Sequence, residues 1–189
     1  MLPQNLLTLF ASFPPLSTIC LQALANCLQH KTVNKGELLE RQHQVSQNIY
    51  FIETGLFRSY YHVQNQEISS WFMKAGDVII SVQSFFTQTP SQENIQALEE
   101  SIVFYISKND YENLCFTYTE FHYLARKLTE QYYVKAEKRI FHLHQPDART
   151  RYQYLLQHHS DIVQRVPLKY IASYLNITTE TLSRIRASR

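Results

Sequence analysis

The residues best suited to chemistry lie near the end of the chain, in the stretch PLKYIASYLNITTETLSRIRASR at 167–189. Glu180 and Arg184 are four residues apart, so a helix would place them on one face. Arginine can donate to both acceptors of guanine and glutamate can accept from the cytosine amino group, so the pair could read a G·C pair or neighbouring pairs. Thr179 and Ser183 are also four residues apart and would likewise lie on one face of the helix. We therefore predict that Thr179, Glu180, Ser183 and Arg184 contact DNA bases.

The apolar residues of the same stretch predict two short helices that cross at a tight turn. The apolar positions are Ile171, Ala172 and Leu175 in the first helix, and Leu182 and Ile185 in the second. Between them, Asn176 tolerates the left-handed conformation that ends a helix, and Thr178 can cap the next one. This is the pattern of a helix-turn-helix. The alternative is a plain amphipathic helical hairpin with a solvated charged face.

The distribution of charge favours the first interpretation. The net charge of +2 divides unevenly, because residues 1–134 hold 8 basic and 12 acidic residues whereas residues 135–189 hold 10 basic and 4 acidic ones. A basic C-terminal part that carries a helix-turn-helix pattern indicates a phosphate backbone as the partner. We expect phosphate contacts from Lys169, Thr178, Arg186 and Arg189.

Composition argues against several other classes of protein. No apolar run approaches the 18 or more residues of a membrane span. The N-terminal residues have no basic region before their apolar stretch, so we expect a cytoplasmic protein without a secretory signal. The cysteines are widely spaced and odd in number, which argues against a disulfide framework, a zinc ribbon or an iron-sulfur cluster. They are Cys20, Cys27 and Cys115.

The histidines do not predict a metal site. They include two close pairs, His142 with His144 and His158 with His159, but neither pair has a carboxylate at metal-site spacing. We therefore expect no metal and no cofactor.

The middle of the chain predicts a β domain. An amphipathic helix at 16–28 precedes it, and a short helix at 81–86 interrupts it. Short β-rich runs alternate with turn residues, which is typical of a sandwich or of a jelly-roll barrel. The predicted strands are 49–52, 56–63, 68–73, 78–79, 94–98 and 101–106.

The helix that follows is long. After a shorter helix from Ser107, apolar residues recur every three or four positions from Phe121 to Leu143, which predicts a helix over 119–144. This stripe either lies along the β domain or pairs with its copy in a second subunit, and we favour the homodimer. Pro146 and Asp147 break the helix and form a hinge before the terminal helices.

The predicted fold is therefore α+β with three parts. Residues 1–118 form the β-barrel domain, residues 119–145 the dimerisation helix, and residues 146–189 the helix-turn-helix domain. Because the sequence closes directly after the second helix of that motif, we expect no C-terminal wing strand.

This order of elements resembles the cyclic-AMP receptor / fumarate-nitrate regulator (Crp/Fnr) superfamily of bacterial transcription factors over essentially the whole chain. The matching pieces are KGELL at 35–39, IYFIETGLFR at 49–58, AGD at 75–77, IASYL at 171–175 and ETLSRI at 180–185. The resemblance implies a cyclic-nucleotide-binding barrel, a dimer helix and a DNA-reading helix pair. The Glu and Arg of the family's recognition helix fall on Glu180 and Arg184, whereas Thr179 replaces a family arginine.

The effector site departs from the family pattern. Ile80 and Ser81 stand where the resemblance places a Gly-Glu pair for the ribose. Ser91 and Gln92 stand where it places an Arg-Ser or Arg-Thr pair for the cyclic phosphate. A buried phosphate without a cation loses its charge-assisted hydrogen bonds. We therefore expect a degenerate pocket at these four residues that does not bind cyclic AMP usefully.

The sequence supports three functional hypotheses. The first is a homodimeric regulator that binds double-stranded DNA, with RNA polymerase and an unidentified small-molecule effector as further candidate partners. The second is a sensor or adaptor whose barrel binds an unknown apolar or aromatic ligand, with DNA binding secondary. The third is a cupin-type metalloenzyme, for which His62 is the only suitable strand residue. We predict the first, with no enzymatic activity and no membrane association.

Overall fold

The computed structural model describes residues 2–188, so Met1 and Arg189 lie outside its description. The N-terminal part contains two helices, a set of eight strands and one short helix between strands. Their bounds are α1 (Gln4–Phe10), α2 (Thr18–Cys27), β1 (Gln29–Val33), β2 (Leu38–Glu40), β3 (Asn48–Thr54), β4 (Leu56–Val63), β5 (Gln66–Lys74), β6 (Val78–Ile79), α3 (Val82–Thr87), β7 (Asn94–Ala97) and β8 (Ser101–Ser107). Helices follow: α4 (Lys108–Thr117), α5 (Thr119–Leu143), α6 (Ala148–His158), α7 (Ser160–Arg165), α8 (Leu168–Tyr174) and α9 (Thr179–Ala187).

The strands form two four-stranded antiparallel sheets, in the orders β1-β8-β3-β6 and β2-β7-β4-β5. Apolar residues from both sheets share a core that includes Tyr50, Ile52, Phe57, Met73, Ile79, Ile95 and Val103. Of the two predicted alternatives, the sheets form the sandwich. The predicted barrel is not closed, because no strand pairing joins the two sheets within residues 2–188. Their edges include β2 and β6, which are three and two residues long and too short to complete a closed ladder.

Gly55 carries the chain from β3 of the first sheet to β4 of the second. Its φ is +116°, and a Cβ at this position would lie 2.0 Å from Oγ of Ser101. Only glycine fits both the left-handed backbone and this close approach. The next residue, Leu56, belongs to the core that the C-terminal helices form.

Helix α5 has two different halves. In its first half, Phe121 and Leu124 are buried against the sheet domain, and Tyr132 further along accepts a hydrogen bond from the Val78 amide, 2.8 Å away. In its second half, apolar side chains remain exposed: Tyr133, Val134, Ile140 and Phe141. The first half therefore packs on the β domain, which was one of the two alternatives for the apolar stripe. The second half still contacts that domain, since Lys135 lies 3.5 Å from the Asp77 carboxylate, but it leaves these apolar side chains exposed.

The terminal helices α6 to α9 build a second core. Its buried members are Tyr152, Leu155, Ile162, Val166, Ile171, Ala172, Leu175 and Leu182, together with Leu56 from β4. At the predicted hinge, the Asp147 carboxylate caps α6 by accepting from the amides of Arg149 and Thr150 at 3.2 and 2.9 Å. Because Leu56 belongs to this core, the terminal helices dock directly on the second sheet.

Candidate functional site

Helices α8 and α9 meet at a tight corner. Asn176 adopts the left-handed conformation with φ of +52°, and the Ile177 amide donates to the Ala172 carbonyl at 3.1 Å. The Thr178 hydroxyl accepts from the Thr181 amide at 3.2 Å and so caps α9. Ala172 is only 2 % exposed. Ala172 is therefore buried where α8 and α9 pack on each other, in the same core as Leu182.

The outer face of α9 carries all four residues that we predicted to contact bases. Thr179, Glu180, Ser183 and Arg184 are exposed, and the Thr179 hydroxyl donates to Glu180 Oε1 at 3.2 Å. The pKa of Glu180 is lowered by its own backbone amide, by the hydroxyls of Thr178 and Thr179, and by the charge of Arg184. The face therefore presents an ionised carboxylate beside a guanidinium, and both groups are open to solvent.

Three of the four residues that we predicted to contact phosphates are exposed, and they lie on different turns. Lys169 is in the first turn of α8, Thr178 caps α9, and Arg186 is in the last turn of α9. The hydroxyl oxygen of Thr178 already accepts a hydrogen bond as the helix cap. Thr178 can therefore contact a phosphate only by donating its hydroxyl hydrogen. Arg189, the fourth of these predicted residues, lies outside the described residues.

Three arginines that sequence reasoning missed hold the ends of these helices. Arg139 from α5 donates to the Tyr174 carbonyl, and Arg151 from α6 donates to the Leu175 carbonyl through Nε at 3.1 Å. Arg149 donates to the Ser188 carbonyl at 3.0 Å. Carbonyls at a helix C-terminus lack partners within the helix and favour a cation. The arginines therefore fix α8 and α9 relative to α5 and α6.

Strand β5 contacts α8 directly. The Ser69 amide donates to Ser173 Oγ at 3.2 Å, and the Ser173 hydroxyl donates to Ser69 Oγ at 3.0 Å. Nearby, the Phe72 and Tyr174 rings have centroids 5.0 Å apart. Helix α9 packs on α8 and α6 instead, so its outer face stays clear of the sheet domain.

A buried arginine lies in the same contact. Arg58 is 1 % exposed, and its guanidinium lies 4.0 Å from the ring centroid of Tyr60 and 3.5 Å from that of Tyr170. It donates to Gln96 Oε1 at 3.0 and 2.8 Å and pairs with Glu67. Arg58 therefore joins β4 to α8 through stacked rings, whose attraction to a desolvated cation is stronger than at an exposed site.

The first half of α5 covers a cavity of about 400 Å³ against the sheets. Its walls include Phe51, Trp71, Met73, Ile80, Leu124, Leu128 and Tyr132. Of the residues described, none that lines this cavity is lysine or arginine, and Glu93 is the one carboxylate. Burial raises the pKa of Glu93. We call this space the α5 cavity.

The four residues of the predicted effector pocket divide between two spaces. Ile80 lines the α5 cavity, whereas Ser81, Ser91 and Gln92 line a neighbouring space of about 760 Å³ that also reaches Glu93. The hydroxyls of Ser81 and Ser91 are 3.0 Å apart and hydrogen bonded. No lysine or arginine lines this second space either, within the part of the chain that the structure describes.

Residues 2–188 hold no candidate metal centre and no candidate membrane span. No group of three or more His, Cys, Asp or Glu side chains among them is close enough to hold a metal ion. None of the described helices combines the length and apolar character that crossing a membrane requires.

The sheet domain matches a known family. Residues 30–118 fit the family model for the cyclic nucleotide-binding domain. The sheet domain is therefore similar to cyclic nucleotide-binding domains. No curated protein sequence matches the chain.

Solved structures extend the likeness beyond that domain. A candidate transcriptional regulator of the Crp/Fnr family from Eubacterium rectale aligns with a TM-score of 0.73 at 15% identity, over 90% of this chain and 82% of its own. CooA from Carboxydothermus hydrogenoformans gives 0.72 at 18%, over 100% and 85%. FixK2 from Bradyrhizobium japonicum gives 0.69 at 18%, over 85% and 83%. The protein thus has the fold of Crp/Fnr regulators, and the predicted resemblance is confirmed at that level.

Proposed function

We propose that the protein is a homodimeric, cytoplasmic transcription regulator of the Crp/Fnr type that binds specific DNA sequences. In this proposal α8 and α9 are the helix-turn-helix, residues 146–189 the DNA-binding domain, residues 119–145 the dimer helix and residues 1–118 the sensor. The observation that carries it is the exposed face of α9, which stays uncovered although α8 docks on β5. A recognition helix needs such a face to enter the major groove.

In this function the side chains of α9 read bases. Glu180 and Arg184 supply an acceptor and a bidentate donor, while Thr179 and Ser183 add hydroxyls that suit several bases. Lys169, Thr178, Arg186 and Arg189 contact phosphates and set the position of the helix on the duplex.

The second half of α5 supports a dimer. Its exposed apolar side chains include Phe141, which is 63 % exposed, and Tyr133, which is 67 % exposed. A second copy packed in parallel along this half would remove these side chains from water. Two-fold symmetry would then present two α9 helices to successive major grooves, about 34 Å apart.

The sensor is proposed not to respond to cyclic AMP. A cyclic phosphate in the α5 cavity or in the neighbouring space would meet no lysine or arginine of the described chain and would lie near Glu93. An unpaired buried anion is costly. Calorimetry should therefore detect no binding of cyclic AMP, and micromolar affinity would contradict this part of the proposal.

The decisive experiment is selection from a randomised duplex library, followed by gel-shift measurements with the selected sequence. We expect a two-fold symmetric site whose half-sites are about one helical turn apart. Arg126→Ala, which alters an exposed arginine on the first half of α5, is the matched control for Arg184→Ala. Failure of the full-length protein to shift the selected duplex at low salt would overturn the proposed function.

The α5 cavity favours a second function, that of a sensor for an apolar or aromatic ligand. Its volume and its mostly apolar walls fall within the usual range for small-molecule sites. Native mass spectrometry of the purified protein would report a retained ligand and the dimer together. A ligand-bound protein that binds no duplex would favour the sensor or adaptor alone. RNA polymerase is the further partner that we propose for the DNA-bound dimer.

A further inference from the structure

A second cleft lies where the sheet domain, α5 and the terminal helices meet. It has a volume of about 420 Å³, and its walls come from β5, α5, α6 and the end of α8. We call it the hinge cleft, because it borders the break between α5 and α6. Five basic side chains and one carboxylate line it: Lys74, Lys135, Lys138, Arg139, Arg151 and Asp77. It is therefore strongly basic, in contrast to the α5 cavity.

Some of these cations already have partners and some do not. Lys74 pairs with Asp161 at 2.5 Å, and Lys135 lies 3.5 Å from the Asp77 carboxylate. Lys138 makes no hydrogen bond or ion pair with the rest of the described chain, and Nε of Arg139 is buried without an acceptor there. When several cations lie close together without an anion between them, each makes the charged form of its neighbours less favourable. The cleft therefore holds unused donors for a negatively charged group.

Aromatic rings form the other part of the wall. Trp71, Phe72 and Tyr174 line the cleft, and the Tyr154 ring lies between His142 and His158, with centroid distances of 3.3 and 4.1 Å. Flat aromatic surfaces favour offset or edge contacts with another planar ring. The Tyr154 ring is already stacked on the two histidines, and the Arg139 guanidinium lies 3.5 Å from the Tyr174 ring centroid. The cleft thus combines a group of cations with an aromatic surface, supplied by Trp71 and Phe72, on which a planar organic group can pack.

We propose that the hinge cleft binds a small organic polyphosphate whose organic part is a planar ring. Lys138 and Arg139 hold the phosphates through charge-assisted hydrogen bonds, and the aromatic wall packs on the ring. Among the described residues, the linings of the hinge cleft and the α5 cavity have Trp71 in common, and the proposed site does not depend on DNA binding. Because Arg139 and Arg151 also hold the end of α8, the ligand would contact groups that connect α5 to the terminal helices.

The test is titration of the full-length protein with adenosine triphosphate and with inorganic triphosphate, without added metal or DNA. Trp71 is the only tryptophan in the chain and lines both the hinge cleft and the α5 cavity, so its fluorescence reports binding in either space. Calorimetry gives the affinity, and the Lys138→Ala variant assigns the binding to the hinge cleft. We expect Lys138→Ala to weaken the nucleotide by about tenfold, as for the removal of one charge-assisted hydrogen bond. Lys127→Ala, which alters a lysine elsewhere on α5, should leave affinity unchanged.

The remaining outcomes are also decisive. Saturable binding of both anions, with the nucleotide tighter, supports the proposal. Tighter binding of inorganic triphosphate overturns the assignment of a planar ring. Absence of binding by either anion, or an equal loss in Lys138→Ala and Lys127→Ala, overturns the site. A Lys138→Ala variant that loses affinity only for duplex DNA assigns these cations to the DNA backbone and also overturns it.

Discussion

The α5 cavity and the outer face of α9 differ in how they use charge. The cavity lacks lysine and arginine among its described lining residues and contains the half-buried Glu93, whereas the face of α9 exposes a glutamate and an arginine. Both are positioned by apolar packing, on the sheets in one case and on α6 and α8 in the other. Apolar packing can thus hold both regions in place while their polar side chains differ independently. Substitutions that alter either the α5 cavity or the α9 region, but not both, test this independence.

The largest effect is expected at the corner between α8 and α9. Ala172→Leu adds three carbons where the helices touch, and overpacking of this kind costs about 1–3 kcal/mol. We expect the free energy of unfolding in urea to fall by that amount and duplex affinity to fall with it. Ala187→Leu, on the exposed end of α9, is the control. Unchanged stability of Ala172→Leu would show that the corner has room to spare.

The next effect tests base reading. Arg184→Ala should remove about 1–3 kcal/mol of discrimination at one base pair of each half-site, because alanine cannot make the bidentate hydrogen bonds of the guanidinium. Library selection would show relaxed preference there and retained preference elsewhere. If the selected sequences were the same as for the unaltered protein, Arg184 would not read a base.

A smaller effect is expected from Lys169, for which we proposed a contact with phosphate. Lys169→Ala should weaken binding to all duplex sequences alike and reduce the slope of log affinity against log salt by about 0.9 for each phosphate that is no longer neutralised. Gel shifts at several salt concentrations measure this slope. A change in sequence preference, with the slope retained, would contradict the assigned role.

The smallest effect concerns the cavity. Burial raises the pKa of Glu93 above its ordinary value of 4.5, so the folded state favours the protonated acid. That stabilisation is complete at pH values below the ordinary pKa and is lost as pH rises through the raised one. We therefore expect Glu93→Gln to gain stability relative to the unaltered protein as pH rises from about 4 to about 7, as measured by urea unfolding. Glu100→Gln, at an exposed carboxyl, is the control, and a pH-independent difference for Glu93→Gln would contradict the effect.

Much of the secondary structure could be predicted because it is encoded locally. Strand β4 was predicted at 56–63 and is observed at Leu56–Val63, and the long helix was predicted at 119–144 and is observed at Thr119–Leu143. Strand β1 was missed because its sequence, QHKTV, buries only Val33 and so shows no alternation. Helix α1 was missed because it is seven residues long and buries only Leu6 and Phe10. Short elements that take their stability from distant partners leave little local signal.

For the candidate site, the exposed face of α9 could be predicted from the sequence, but the arginine contacts that hold the helices could not. The outward set on α9 follows from helical spacing alone, and its four members share an exposed face. The roles of Arg58, Arg139 and Arg151 were not predictable, because each depends on a contact that the sequence alone does not locate: Arg58 with Tyr170, Arg139 with Tyr174 and Arg151 with Leu175. The hinge cleft was missed for the same reason, since its cations come from three separate elements.

Strand β5 lies between the α5 cavity and α8. Ser70 and Met73 line the cavity, while Ser69 and Phe72 contact α8. A single layer of backbone therefore separates any occupant of the cavity from the helix that supports α9. If an occupant changed the affinity for duplex by some factor through this strand, thermodynamic linkage would require the duplex to change the affinity for the occupant by the same factor. A promoter would then act as an effector of its own regulator.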